Sequence, residues 1–209
     1  MSVHAVVPVK AFAAAKQRLA EFLSPSQRQA LALAMLEDVL AALAACDLAS
    51  VIVVTADPAA ARLAGAFGAR VWRDGAEDGH TGAVAAAAAR LARQGAGMLT
   101  VPADIPLVRP EDIAALLAAG PFAIAPSRDE RGSNAVLVTP ADRVPLRFGE
   151  DSFRPHLAAA RARGLEPRIL HRPRLALDLD RPADVAAFLE IPSRTRTRAL
   201  LAKACLELN

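Results

Sequence analysis

The sequence predicts an α/β protein, a three-layer sandwich in which helices flank a mostly parallel sheet. Along the 209 residues, short apolar runs of strand length alternate with longer runs whose apolar residues recur at helical spacing. Beyond the middle of the chain, two strand-like runs are joined only by a polar loop, which predicts mixed strand directions there. No internal repeat or low-complexity linker interrupts the pattern. We therefore expect one domain over residues 1–209, with a short helical tail from about residue 190.

The first half of the chain is predicted to contain four strands and four helices. The strands are the apolar runs at residues 4–9, 51–55 and 69–72, and a fourth that begins at Met98, ends in Pro102-Ala103-Asp104 and is stopped by Ile105-Pro106. The first helix is predicted from the motif Ser24-Pro25-Ser26-Gln27, a capping-box pattern with proline at the first helical position, and it continues to Cys46. Alanine-rich segments at about 58–67 and 82–93 predict two more helices, and a fourth opens at Pro110.

The second half is predicted to be more irregular. Strands are expected at residues 122–126 and 135–139, with short ones near 168–170 and 176–177. A helix is expected at about 153–163, and terminal helices follow Pro182.

Composition excludes several classes of protein. The hydrophobic content is 54%, yet no apolar run approaches the roughly 20 residues that span a bilayer. The amino-terminal segment predicts a first strand and not a signal peptide, and Cys46 and Cys205 are too few for a disulfide framework or a zinc site. We therefore expect a cytoplasmic protein.

The charge pattern favours small anionic ligands over nucleic acid. The net charge is only +3, and the densest basic cluster, Arg194-Thr195-Arg196-Thr197-Arg198, has no aromatic residues for base stacking. That cluster is interpreted as a solvated helix start. We expect neither a nucleic acid nor a membrane as partner.

Asp104 is the first candidate site residue. It follows the apolar run Met98-Leu99-Thr100-Val101 and precedes Ile105-Pro106, so it stands beyond the carboxyl end of a buried strand. Ligands of open α/β sheets gather at that edge, where a carboxylate suits a divalent metal and phosphate chemistry. The alternative is that Asp104 only caps a turn or the next helix.

Three cations follow the first predicted strand: Lys10, Lys16 and Arg18. Cations at that edge suit a triphosphate, whose negative charge must be neutralised in the transition state. The glycines of a Walker loop or a dinucleotide fingerprint are missing. The alternative for each cation is an ordinary solvated loop.

Two further loops offer hydroxyl and backbone donors. Gly132-Ser133-Asn134 precedes a buried strand, and Gly149-Glu150-Asp151-Ser152 precedes a predicted helix in which His156 lies one turn along. Such loops can bind a phosphate or carboxylate, although turns and helix caps use the same residues. Asp178 and Asp180 are two residues apart, and either could complete a metal site with Asp104, while Asp180 is also expected to cap the helix after Pro182.

These residues together resemble the 2-phospho-L-lactate guanylyltransferase family, which acts in making the deazaflavin coenzyme F-420. Six motifs occur in the family's order. They are Pro8-Val-Lys10, Ala15-Lys16-x-Arg18-Leu19, Asp104-Ile-Pro106, Gly132-Ser-Asn134-Ala135, Phe148-Gly149-x-x-Ser152-Phe153-x-x-His156 and Leu177-Asp-Leu-Asp180-x-Pro182. The resemblance extends from Pro8 to about Phe188.

The resemblance implies a Rossmann-like nucleotidyltransferase fold of the nucleotide-diphospho-sugar transferase type. It also implies transfer of GMP from GTP to the phosphate of 2-phospho-L-lactate, phosphoenolpyruvate or 3-phospho-D-glycerate, with Mg²⁺ as cofactor. The implied catalytic residues are Lys16, Arg18 and Asp104. The implied nucleotide-binding residues are Pro8, Lys10, Lys16, Arg18, His80 and Thr81, the last two within Gly79-His80-Thr81-Gly82, where the family carries a leucine-asparagine pair near the base. The implied acid-binding residues are Ser133, Asn134, Gly149, Ser152 and His156, and the implied metal ligands are Asp104, Asp178 and Asp180.

Three questions are open at this point: which acid is used, how strict the preference for GTP is, and whether the protein forms a homodimer. Two alternative functions are also open. One is another nucleotidyl- or glycosyltransferase of the same fold that uses CTP, UTP or a sugar phosphate. The other is a nucleotide-binding protein without catalysis.

Overall fold

A single seven-stranded sheet organises the protein in this computed structural model, which describes residues 1–76, 78–149 and 151–207. The strands are β1 (Val3–Pro8), β2 (Ser50–Val54), β3 (Arg70–Trp72), β4 (Gly97–Thr100), β5 (Phe122–Pro126), β6 (Ser133–Val138) and β7 (Arg168–Ile169). Their order across the sheet is β3-β2-β1-β4-β6-β5-β7. Within the described residues, no helix is both long enough and apolar enough to cross a bilayer.

One strand, β6, runs against the rest. β1 pairs in parallel with β2 and β4, β2 with β3, and β5 with β7, whereas β6 is antiparallel to both β4 and β5. The reason is the short polar loop between β5 and β6, because a parallel pair requires a crossover of a dozen or more residues. The predicted mostly parallel sheet with mixed strands in the second half is confirmed.

Helices cover both faces of the sheet. They are α1 (Pro25–Ala44), α2 (Pro58–Ala66), α3 (Gly79–Ala92), α4 (Pro110–Ala118), α5 (Phe153–Ala162), α6 (Pro173–Ala176), α7 (Pro182–Glu190) and α8 (Arg196–Glu207). Alternate side chains of β1 face the two helix layers. Ala5 and Val7 belong to the core shared with α1, α2, α4, α7 and α8, and Val6 belongs to the core shared with α3 and α5. The three-layer sandwich is confirmed.

The ends of α1 and α8 show how polar side chains fix the helices. The capping box predicted at Ser24 is present, because its hydroxyl accepts from the backbone N–H of Gln27 while the Gln27 side chain accepts from Ser24. The start of α8 is held by Asp38 of α1, whose carboxylate accepts from the backbone N–H groups of Arg196 and Thr197. The basic cluster is thus a helix start, as interpreted from the sequence.

Two local predictions are wrong, and the alternative role of Ser152 as a helix cap does not hold. Residues 176–177 do not form a strand; Pro173 opens the short helix α6, which continues to Ala176. Asp180 does not cap α7, because Asp184 accepts from the backbone N–H of Arg181 and so closes that helix end. Ser152 precedes α5 without a capping hydrogen bond.

Candidate active site

A cleft lies at the sheet edge where β1 and β4 end. Because β6 is antiparallel to β4, with Val136 opposite Thr100, the start of β6 at Ser133 lies at this same edge. The reversed strand therefore brings a loop from the second half of the chain beside residues that follow β1 and β4. The cleft has two adjoining cavities of about 340 Å³ and about 810 Å³. Both are lined by Lys10, His80, Pro102, Asp104 and Asp180.

One half of the cleft, here called the charged half, consists of Lys16, Arg18, Asp104 and Asp180. The Lys16 ammonium lies between two carboxylates, 2.7 Å from Asp104 Oδ2 and 3.0 Å from Asp180 Oδ1. Arg18 Nη1 lies 2.8 Å from Asp180 Oδ2. The side chain of Lys16 is only 8% exposed, so this is an almost buried cation held by two anions.

The titration behaviour of the charged half follows from these contacts. Burial alone would lower the pKa of Lys16, but the adjacent Asp104 and Asp180 carboxylates raise it above its usual value. Burial likewise opposes ionisation of Asp180, yet Lys16 and Arg18 hold its pKa below the usual value. The two partners shift in the directions of a charged pair, so Lys16 is an ammonium and Asp180 a carboxylate at neutral pH.

The backbone explains how distant residues meet in the charged half. Lys16 has φ 52° in the turn between two short 3₁₀ helices, a left-handed conformation that is uncommon for a residue with a Cβ atom. The start of this loop is fixed by Asp57, whose carboxylate accepts from the Phe12 backbone N–H at 2.9 Å. The Leu179 backbone N–H donates to the Asp104 carbonyl at 3.0 Å, which aligns the segment carrying Asp178 and Asp180 beside Asp104.

The three predicted metal ligands are not equivalent. Asp178 accepts a hydrogen bond from Asn134 Nδ2 at 3.1 Å, and burial together with the charge of Asp104 raises its pKa. Within the part of the chain that the structure describes, no three acidic, histidine or cysteine side chains form a ready metal site. Asp104 and Asp180 nevertheless share one cation, the Lys16 ammonium, and carboxylate oxygens are the ligands that Mg²⁺ prefers. The donor chemistry fits Mg²⁺, which commonly takes only one or two carboxylates beside substrate phosphates.

The other half of the cleft, here called the hydroxyl half, is built on Ser133, Ser152 and His156. The Ser152 hydroxyl donates to Ser133 Oγ at 3.2 Å, and His156 Nδ1 lies 2.9 Å from the same oxygen. Ser133 and Ser152 line the larger cavity together with Asn134 and Gly149. His156 is 1% exposed and lies behind Ser133, so the direct contact with the acid that was predicted for it does not fit this position.

A row of ring contacts joins His80, which lines both cavities, to His156 of the hydroxyl half. The His80 and Phe148 ring centroids are 4.2 Å apart, and those of Phe148 and His156 are 5.0 Å apart. Thr81 fixes Phe148 in this row, because its hydroxyl accepts from the Phe148 backbone N–H at 2.9 Å. Burial lowers the pKa of His80 to about 4, so His80 is neutral at physiological pH. Its Nε2 has no hydrogen-bond partner among the described residues.

The structure brings most of the predicted site residues to one cleft. Pro8, Lys10, Thr81, Asn134 and Gly149 line it along with the residues of the two halves, except His156. Sequence reasoning missed Arg131, which also lines it and binds Asp151 through Nε at 2.7 Å and Nη2 at 3.2 Å. This bidentate pair joins the loop before Ser133 to the loop before Ser152. Both loops were singled out in the sequence, but nothing there indicated that they meet.

Comparisons with known proteins agree on the class of protein. Residues 3–209 match the family model described as guanylyl transferase CofC like. A phosphoenolpyruvate guanylyltransferase of Rubrobacter xylanophilus is 45% identical over 194 residues, covering 89% of this chain and 93% of the relative. The protein of the same name from Roseiflexus castenholzii is 40% identical over 201 residues, covering 96% and 94% of the two chains.

Solved structures agree on the fold. A protein of Desulfovibrio desulfuricans G20 described as a nucleotide-diphospho-sugar transferase has a TM-score of 0.76 at 21% identity, covering 97% of this chain and 95% of that one. A 4-diphosphocytidyl-2C-methyl-D-erythritol synthase has a TM-score of 0.60 at 17% identity, covering 96% and 99%. The nucleotide-diphospho-sugar transferase type of fold is therefore confirmed.

Proposed function

This chain belongs to the CofC-like family of guanylyl transferases, and from that membership we propose that it transfers GMP from GTP to phosphoenolpyruvate. Guanylyl transfer to a phosphorylated acid is the activity of the family. The choice of phosphoenolpyruvate is supported by the relatives, since eight proteins that are 37–45% identical carry the name phosphoenolpyruvate guanylyltransferase. The pathway implied by the family is the synthesis of coenzyme F-420.

One observation supports the placement of the reaction: two carboxylates and a nearly buried ammonium adjoin a cavity whose wall includes the Ser133 and Ser152 hydroxyls and Arg131. The triphosphate of GTP is assigned to the charged half, where Lys10, Lys16 and Arg18 supply positive charge. The phosphorylated acid is assigned to the hydroxyl half, where Ser133, Ser152 and the Gly149 backbone supply donors. The base and ribose are assigned to the smaller cavity, near Pro8 and His80.

The reaction is an in-line displacement at the α-phosphorus of GTP. A phosphate oxygen of phosphoenolpyruvate forms a bond to that phosphorus, and the bond from the phosphorus to the bridging oxygen of the β-phosphate breaks, releasing pyrophosphate. A phosphate monoester is already anionic near neutral pH, so the attack needs no general base. The protein then contributes by positioning both reactants and by neutralising charge.

Lys16 and Arg18 are assigned to the charge that accumulates on the leaving pyrophosphate. Asp104 and Asp180 would hold Mg²⁺, with Asp178 beside them. The metal, when bound, supplies a Lewis acid for the phosphate oxygens. Because Lys16 already lies between Asp104 and Asp180, its ammonium can exchange these carboxylates for phosphate oxygens when a triphosphate enters.

The proposal is tested by measuring pyrophosphate release from GTP with phosphoenolpyruvate, 2-phospho-L-lactate and 3-phospho-D-glycerate in parallel. We expect the highest kcat/KM with phosphoenolpyruvate and much slower release when CTP or UTP replaces GTP. A preference for another acid would contradict the assignment of phosphoenolpyruvate as the substrate. A preference for CTP or UTP would contradict the assignment of GTP as the nucleotide. No release with any combination would favour a nucleotide-binding role. A homodimer and a cytoplasmic location stay predictions.

A further inference from the structure

His156 is a buried histidine whose two ring nitrogens are both matched inside the protein. It is 1% exposed and does not reach the surface of the cleft. Nε2 lies 2.9 Å from the Arg147 backbone nitrogen, and Nδ1 lies 2.9 Å from Ser133 Oγ. A histidine held at both nitrogens has a fixed ring orientation and one allowed tautomer.

The backbone partner decides that tautomer. A backbone N–H can only donate, so Nε2 must present its lone pair to Arg147. The burial that lowers the pKa of His156 to about 4 keeps the ring neutral, in accord with this contact. The ring proton is therefore on Nδ1, and His156 donates to Ser133 Oγ.

The Ser133 hydroxyl then has its acceptor capacity filled. Ser133 Oγ accepts from His156 Nδ1 and from the Ser152 hydroxyl at 3.2 Å, and a hydroxyl oxygen has two lone pairs. Its own hydrogen is the one part of the group that neither contact uses. Ser133 lines the cavity, so this hydrogen is available to an acceptor there.

We propose that His156 is a positioning residue that converts Ser133 into an obligate hydrogen-bond donor toward the phosphorylated acid. The inference rests on the proposed function, since it assumes that the acid lies in the hydroxyl half. It adds to that function a requirement on the ligand: an acceptor oxygen, from a carboxylate or a phosphate, must face Ser133. A ligand that presents a hydroxyl or amino hydrogen at this point would be rejected, because Ser133 has no lone pair left to accept it.

The same geometry argues against a different role for the Ser133–His156 pair. A serine nucleophile needs a histidine whose lone pair faces the hydroxyl and removes its proton. Here the Arg147 backbone occupies the lone pair, and the histidine proton faces Ser133. The pair fixes a donor and does not activate a nucleophile.

A double-mutant cycle on the full-length enzyme separates this role from a general structural one. Ser133→Ala is expected to raise KM for phosphoenolpyruvate about tenfold, the loss of one hydrogen bond to a charged ligand, with KM for GTP unchanged. His156→Phe keeps a ring in place but removes Nδ1, and it should raise the same KM by a similar factor. Because His156 acts through Ser133, the double variant should be no more than about twofold worse than Ser133→Ala. His156→Asn should recover part of the loss, since its amide can donate from near the Nδ1 position.

Independent effects would overturn the inference. If the two single losses multiply to about a hundredfold in the double variant, His156 does not act through Ser133. If Ser133→Ala alone leaves KM for phosphoenolpyruvate unchanged, the acid does not bind at Ser133 and the inference fails, whereas the proposed function is decided separately by pyrophosphate release with the parent enzyme. His171→Asn is the matched control, because its side chain is 63% exposed and lies outside both cavities.

Nitrogen NMR of the parent protein gives an answer that needs neither activity nor a folded variant. With ¹⁵N-labelled histidine at pH 7, the His156 resonances should show a protonated Nδ1 and an unprotonated Nε2. A His156 ring protonated at Nε2, or at both nitrogens, would contradict the proposal whatever the variants show.

Discussion

The charged half and the hydroxyl half of the cleft hold anions by different physical means. In the charged half, full charges oppose each other within 3.0 Å, as Lys16 contacts Asp104 and Asp180. In the hydroxyl half, Ser133, Ser152 and His156 are neutral and are ordered by hydrogen bonds, while Arg131 on the wall of the same cavity is paired with Asp151. The charged half therefore responds mainly to the size of the ligand's charge. The hydroxyl half recognises the positions of the ligand's acceptor atoms.

This difference matches the needs of phosphoryl transfer. A triphosphate brings several negative charges and gains more on its leaving group, so its site must neutralise charge strongly. A small phosphorylated acid must be told apart from similar metabolites, and directed hydrogen bonds discriminate better than charge. We expect changes in the charged half to act mainly on turnover and GTP, and changes in the hydroxyl half to act on the acid.

The largest effect is expected from Asp104→Asn, which keeps the size of the side chain and removes its charge. Turnover should fall by on the order of 100-fold or more, as when a transition-state charge partner is lost. Pyrophosphate release measures the loss, and a melting curve like that of the parent excludes unfolding. Near-parental turnover in a folded variant would remove Asp104 from the catalytic residues.

Lys16→Met is expected to follow in size. The variant keeps an unbranched chain of similar length but leaves Asp104 and Asp180 facing each other without their shared cation. We expect kcat/KM for GTP to fall on the order of tenfold to 100-fold, with a smaller change in KM for phosphoenolpyruvate. Lys203→Met is the matched control, because that lysine is exposed on α8. Equal losses on both substrates would break the division between the two halves.

The sequence could predict most of the charged half because Lys16, Arg18 and Asp104 come after strands that end at one edge of the sheet. Asp104 and Lys16 needed only the strand pattern and the resemblance to meet in one site. Predicting the position of Ser133 also required knowing that β6 runs antiparallel to its neighbours. The short loop between β5 and β6 indicated that reversal.

What the sequence could not predict depends on contacts between distant segments. Asp180 and Asp184 both had a spacing suited to capping α7, and only the position of Lys16 shows why Asp180 faces the cleft instead. The role of His156 depends on the backbone of Arg147, which is nine residues earlier and joined through a loop. A two-residue apolar run such as 176–177 fits a strand and a helix equally well, so periodicity could not decide it.

Lowering the pH should weaken the hydroxyl half before the charged half. An unfolded chain protonates His156 below about pH 6.5, whereas the folded protein does so only near pH 4. Because the unfolded state binds more protons in that window, the stability that neutral His156 contributes is present above pH 6.5 and is lost as the pH falls toward 4. Asp180 has a lowered pKa, so its contribution is present above pH 3.8 and is lost only below that value.

Urea unfolding at pH 7 and pH 5 tests this order. The free energy of unfolding of His156→Asn should depend less on pH than that of the parent, by about 2 kcal/mol over this interval. An identical pH dependence in both proteins would mean that His156 is not neutral in the folded state.

Ser152→Ala should have a smaller effect, confined to the acid. The variant removes the donor to Ser133 Oγ and one contact of the cavity, so KM for phosphoenolpyruvate should rise about threefold. KM for GTP should stay constant. Because Ser152 makes no capping hydrogen bond, the loss of a helix cap does not add to the cost. A change in KM for GTP alone would assign this loop to the nucleotide.

The smallest effect on catalysis is expected from Ser24→Ala, far from both halves. Removing the capping box of α1 should cost about 1 kcal/mol of stability, read from urea unfolding. Both KM values should match the parent. A change in either KM would show that stability and the cleft are coupled, and the kinetic effects above would then need correction.

A crystal structure with phosphoenolpyruvate and a non-hydrolysable GTP analogue tests the division of the cleft most directly. We expect the carboxylate of phosphoenolpyruvate to accept a hydrogen bond from Ser133 Oγ, with its phosphate turned toward Asp104. The triphosphate should lie against Lys16 and Arg18. A triphosphate bound at Ser133 and Ser152, with the acid against Lys16 and Arg18, would contradict this division of the cleft.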